Sequence, residues 1–97
     1  MRRFVLTLRA QRQLAAAMRW WVFHRDKAPD AFKEDFAETA ARIADRPAIG
    51  HLAHTRRPGI RRVLMERIRY YLYYRVNASG DVEVLSVWHA SRRPPRL

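Results

Sequence analysis

The hydrophobic period of this sequence changes once, across a Gly- and Pro-containing break at residues 47–59. A chain so divided folds its helices before the break and most of its strands after it. Residues 8–25 hold neither Gly nor Pro and are rich in Leu, Ala, Gln, Arg and Met. Within them Leu14, Met18, Trp21 and Val22 recur at i, i+4, i+7 and i+8, the spacing of one helix face. Thr7 fits the N-cap, its hydroxyl accepting from a free amide of the first turn. Arg3-Phe4-Val5-Leu6-Thr7 before it reads as a short strand. Asp26-Lys27-Ala28-Pro29-Asp30 breaks the helix. Pro29 suits the first turn of a second helix over 29–46, where its missing amide loses no partner. Asp30, Glu34 and Asp35 then lie near the positive end of the helix dipole, and Arg42 and Arg46 near the negative end. Phe32, Phe36, Ala40 and Ile43 form the apolar stripe, and Pro47 stops the helix.

From residue 60 the period is two. Residues 60–65 and 70–76 read as strands, the second strengthened by its four tyrosines. Alternation puts Tyr70, Leu72, Tyr74 and Val76 on one face and Tyr71, Tyr73 and Arg75 on the other. Asn77-Ala78-Ser79-Gly80-Asp81 is a turn signal. Val82 to His89 is the last strand, with Val82, Val84, Ser86 and Trp88 expected on one face.

The order β-α-α-β-β-β predicts an α+β fold. An antiparallel helix hairpin packs on one face of a small twisted, mainly antiparallel sheet, whose last three strands form a meander because their links are short. The 97 residues are expected to be one domain, 1–97, with 90–97 a basic, Pro-containing tail. A chain of this size buries about 65% of its unfolded surface. That makes one modest core and no deep cavity between domains.

Charge narrows the partners. Lys and Arg number 20 against 9 Asp and Glu, a net +11. Residues 1–27 and 56–75 each carry seven basic side chains against one acidic, whereas 28–55 carry three against five. A basic chain expects a polyanionic or acidic partner. Arginine dominates over lysine, and its planar fork suits phosphate and carboxylate. Codon bias is the plainer alternative for the arginine preference, but it does not explain the net charge. No Cys is present, which excludes disulfides, thiolate metal sites and cysteine catalysis. Met1-Arg2-Arg3 opens like an export signal, but the apolar run Phe4-Val5-Leu6 falls far short of the roughly 7–15 residues required. No stretch nears the about 18 apolar residues of a membrane span. A cytoplasmic chain without membrane attachment is the expectation. His51 and His54 lie three apart with no further ligand to complete a metal site. No metal or cofactor is expected.

Several local motifs, taken in order, resemble the RelE/ParE toxin superfamily of bacterial toxin–antitoxin systems. They are Leu6-Thr7 before the first helix, Ala31-Phe32 early in the second, Arg46-Pro47-Ala48-Ile49-Gly50 at its exit, and Gly59-Ile60-Arg61-Arg62 opening a strand. Tyr73-Tyr74-Arg75-Val76 and Val87-Trp88-His89-Ala90-Ser91-Arg92 are the most specific. The latter resembles the His-Gly-x-Arg ending of ParE-like members, with Ala90 in place of the glycine. The resemblance covers nearly the whole chain and implies a toxin neutralised by a cognate acidic antitoxin, ParD-like or similar, in a hetero-oligomer.

Two activities follow from the superfamily. ParE-like members resemble inhibitors that bind DNA gyrase and need no catalytic group. RelE-like members resemble ribosome-dependent mRNA interferases, which must activate a ribose hydroxyl and stabilise a pentacoordinate phosphate. The nuclease set here would be Arg62, Arg75 and His89, with Arg69 adding positive charge and Glu66 a possible base. Nuclease members often end in a catalytic Tyr or His-Tyr pair, which this chain lacks after His89, and the ParE-like reading is preferred. Under it the expected target-binding residues are Arg61, Arg62, Arg69, Arg75, His89, Arg92 and Arg93. Trp20, Trp21, Phe32, Phe36 and Arg75 are the expected antitoxin contacts. Three plainer roles compete: Arg75 paired with Glu83, His89 fixing the C-terminal turn, and the tyrosines packing in the core. A third class, a non-enzymatic nucleic-acid-binding module, rests on charge alone.

Overall fold

Thr7 turns the chain from strand to helix as expected, its hydroxyl accepting from the Ala10 amide at 3.1 Å. The structure, a computed structural model, describes residues 3–25 and 28–97. Met1-Arg2 and the Asp26-Lys27 part of the expected break lie outside the described residues. The elements are β1 (Phe4–Leu6), α1 (Leu8–His24), α2 (Ala31–Asp45), a 3-10 turn (Pro47–Ile49), β2 (His51–Leu52), β3 (Arg61–Met65), β4 (Tyr70–Val76) and β5 (Val82–His89). The sheet order is β1-β5-β4-β3-β2. β1 runs parallel to β5 and the other pairs are antiparallel. The expected α+β fold and its meander are both present.

Four local expectations need correction. The segment 47–59 is not all loop, because it holds the 3-10 turn and the two-residue strand β2. Pro29 precedes α2 rather than opening it. Ala31 N donates to Ala28 O at 3.1 Å, and this tight turn leaves Asp30 as the N-cap. Val22 is 57% exposed. The core-facing row of α1 is Ala10, Ala17 and Trp21, buried, with Leu14 and Met18 half-buried beside them, and Val22 lies about 100° further round from Trp21.

The fourth correction concerns β5. Tyr73 pairs with Ser86 and Tyr74 with Val84, so Leu85 is an extra residue, a β-bulge. A bulge breaks the alternation. Val82 and Val84 face the helices, but beyond the bulge Val87 takes that face and Trp88 turns to the other.

The main core lies between the helices and the sheet and joins Trp21, Phe32, Ile43, Met65, Ile68, Leu72, Tyr74, Val82, Val84 and Val87. A smaller one on the opposite sheet face joins Ile60, Tyr73 and Leu85, with Tyr71, Trp88 and Leu97 packed against it. The tail is therefore not wholly solvated: Pro95 is buried and Leu97 half-buried. Arg9 donates to Arg96 O at 3.1 Å.

Candidate functional site

Trp88 and Tyr71 pair directly across β5 and β4, on the sheet face away from the helices. Each ring carries a guanidinium. Arg92 lies 3.9 Å from the Trp88 centroid and Arg62 lies 4.3 Å from that of Tyr71. Both stacks are braced. The Trp88 indole N–H donates to Arg93 O at 2.6 Å, and Arg62 donates to the Tyr73 hydroxyl at 3.3 Å. The Trp88-to-Arg92 spacing was the only sequence signal for this stack, and the expected orientation of Trp88 concealed it.

The other expected target-contact residues are scattered. Arg61 donates to Gly50 O at 2.7 Å and so holds the loop after α2. Arg75 pairs with Glu83 at 2.9 Å, across the strands in register. Arg69 is exposed and takes a left-handed backbone, φ 62°. Its carbonyl accepts from Ala90 N at 2.8 Å, which ties the β3–β4 turn to the end of β5. Arg93 is exposed. Arg67 is an arginine that the sequence did not single out. It donates to Ala31 O and pairs with Glu34 at 3.3 Å and Asp35 at 2.9 Å. The Glu34 hydrogen bond, aided by Asp35, raises its pKa against desolvation.

His89 lies on the helix side of the sheet, 5.0 Å from the Tyr70 ring, edge to face. Ser91 N donates to its Nδ1 at 3.1 Å, with the Ser91 hydroxyl also 2.7 Å away. A neutral His89 therefore carries its proton on Nε2. Arg75 sits opposite Glu83 and His89 opposite Tyr70. Five residues of strand separate the two positions, about 17 Å at 3.3 Å per residue, and they lie on opposite faces. Arg62, Arg75 and His89 do not converge. Glu66 is exposed at the turn after β3.

Among the aromatic residues expected at the antitoxin surface, Trp21 is 7% and Phe32 1% exposed. Trp21 donates to Ala28 O at 2.7 Å. Phe32 meets Tyr70 edge-on at 5.1 Å, and Phe36 meets Phe4 at 6.4 Å. These are core contacts, which leaves direct surface contact to Trp20. Trp20 is exposed, with His24 stacked on it at 4.5 Å and Arg25 5.2 Å from its ring.

A second surface feature borders β3. β2 pairs only with Arg61 and Arg62, so among the described strands Val63, Leu64 and Met65 have an open edge. A groove of about 780 Å³ runs between this edge and α2, with Thr39, Arg42, Ile49 and Leu64 in its lining. Among the described residues, no group of three His, Cys, Asp or Glu could hold a metal ion. No helix there is long and apolar enough to cross a membrane.

Buried phenols complete the electrostatics. Desolvation raises the pKa of Tyr70 against the nearby charge of Arg92. It also raises that of Tyr74, against a hydrogen bond from Gly50 and the charge of Arg61.

The family model described as "ParE toxin of type II toxin-antitoxin system, parDE" matches residues 4–94. The chain belongs to the ParE toxin family. A solved structure titled "Chromosomal ParDE TA system from P. aeruginosa" has a similar fold, with a TM-score of 0.74. The alignment covers 94% of this ParE-family chain and 98% of that one, at 22% identity. No curated protein matches the sequence. The RelE/ParE resemblance of the strand and loop motifs thus resolves to the ParE branch.

Proposed function

We propose that this ParE-family chain is a toxin that inhibits DNA gyrase by binding it, in the cytoplasm, and that a cognate acidic antitoxin holds it inactive in a hetero-oligomer. The observation that carries the binding mode is the separation of Arg75 from His89, about 17 Å along the strands and on opposite faces of the sheet. A phosphodiester cannot meet both. Arg75 is also occupied by Glu83, and His89 Nδ1 by Ser91. Neither group stands ready for acid–base work on RNA, whereas a binding inhibitor needs no convergent set.

The antitoxin has two accessible footholds, the open edge of β3 and the exposed Trp20. Unpaired edges accept an extended strand, and the net +11 favours an acidic chain and speeds its approach.

Purified toxin at micromolar concentration should block supercoiling by gyrase, and added antitoxin should restore it. Undiminished supercoiling overturns the proposal. A translation extract given the same toxin should keep its mRNA intact; toxin-dependent cleavage would replace gyrase by the ribosome as target. Antitoxin binding should also raise the thermal midpoint in a concentration-dependent way.

A further inference from the structure

We propose that the paired ring–guanidinium contacts Tyr71–Arg62 and Trp88–Arg92 bind single-stranded nucleic acid. The two stacks stand on directly paired residues, Tyr71 and Trp88. Each guanidinium carbon sits over a ring, and Arg92 is exposed and Arg62 half-exposed, so each cation keeps N–H donors for a ligand. Among the described residues neither guanidinium has a carboxylate partner, and Glu83 is already paired with Arg75. Neither cation is therefore held in an ion pair among the described residues.

The site is also preorganised. Trp88 is pinned through its indole N–H to Arg93 O, and Arg62 through the Tyr73 hydroxyl. Ordering these long side chains is thus partly complete before binding.

The chemistry separates candidate ligands. A carboxylate uses only the N–H donors. A nucleic-acid strand supplies phosphate for the donors and flat bases besides, and bases stack on guanidinium as on aromatic rings. In a duplex the base faces are already stacked on one another, so the match is to a single strand. This binding is independent of gyrase inhibition, and either can fail without the other.

Fluorescence anisotropy of a short labelled oligothymidylate with the full chain tests the proposal. At physiological salt, binding should saturate and weaken as salt rises. The double variant Arg62→Lys/Arg92→Lys keeps both charges but loses the planar stacking. Its affinity should fall about tenfold or more, with an unchanged circular dichroism spectrum. Equal affinity of the variant overturns the proposal. Equal affinity for a duplex of the same length also overturns it. So does displacement of the oligonucleotide by an equally charged poly-glutamate peptide at equal concentration, which would reassign the site to acidic peptides. If the double variant loses its fold, Arg92→Lys alone decides, because Arg92 is exposed. A loss of about threefold or more supports the proposal, and unchanged affinity overturns it.

Discussion

The Tyr74 hydroxyl accepts a hydrogen bond from the Gly50 amide at 3.0 Å and donates one to Pro47 O at 2.6 Å. One phenol from the central strand β4 thus fastens both ends of the turn that follows α2. The contact also explains the glycine. A Cβ at residue 50 would lie 2.6 Å from the Tyr74 oxygen and 3.0 Å from Arg62 O. Gly50→Ala should therefore destabilise the chain by about 1–3 kcal/mol through overpacking. Tyr74→Phe should cost about 1–3 kcal/mol by leaving two backbone groups unpaired. Urea denaturation checks both, and an unchanged midpoint for Gly50→Ala would remove the steric account.

Alkaline pH should weaken the fold. Burial raises the pKa of Tyr74 and of Tyr70 above the ordinary value of 10.0. A raised folded-state pKa means that the neutral phenol is the form the fold prefers. The stability it contributes is whole below pH about 10 and is lost as pH rises through the folded-state value. The thermal midpoint should hold steady up to about pH 9.5 and then decline. Tyr74→Phe should start lower and decline less steeply; parallel curves would show that Tyr74 is not a source of the loss.

The fold was legible in the sequence wherever a single period ran unbroken. The bounds of β5, Val82–His89, follow from alternation alone. The side that Trp88 takes does not, because an inserted Leu85 reverses the sides of Val87 and Trp88 and nothing in the local sequence marks it. β2 is two residues long, too short to show a period. The aromatic residues of α1 give the same lesson. Trp20 and Trp21 differ by about 100° of helix turn, and only the position of the sheet decides that Trp21 is core and Trp20 surface. The pairing of Arg75 with Glu83 was legible as a possibility, and the cross-strand register made it a contact.

Gln13 stands in for a missing strand. β1 pairs with β5 only over residues 82–84, which leaves Val87 N without a strand partner on that side. The Gln13 side-chain oxygen accepts from Val87 N at 2.8 Å and from the Ser86 hydroxyl at 3.0 Å. Gln13→Ala should cost about 1–3 kcal/mol, the penalty for an unpaired buried donor. Gln13→Glu keeps an acceptor and should cost less. Amide exchange by NMR reports directly: Val87 should exchange faster in Gln13→Ala, and unaltered exchange would mean that another group satisfies it.

The Arg75–Glu83 pair should contribute little to stability despite its 2.9 Å contact. The Arg75 side chain is 37% and the Glu83 side chain 23% exposed, so solvent screens the attraction while two side chains lose rotamer freedom. A double-mutant cycle with Arg75→Gln and Glu83→Gln should give a coupling of at most about 1 kcal/mol. Raising the salt to about 1 M should reduce it further, because the Debye length then falls to about 3 Å. The charge-swapped variant Arg75→Glu/Glu83→Arg should recover most of the coupling, since the register keeps the two positions opposite each other. A coupling well above 1 kcal/mol would mean that the pair is more desolvated than its exposure indicates. Failure of the swapped pair to recover would mean that Arg75 meets a second acceptor.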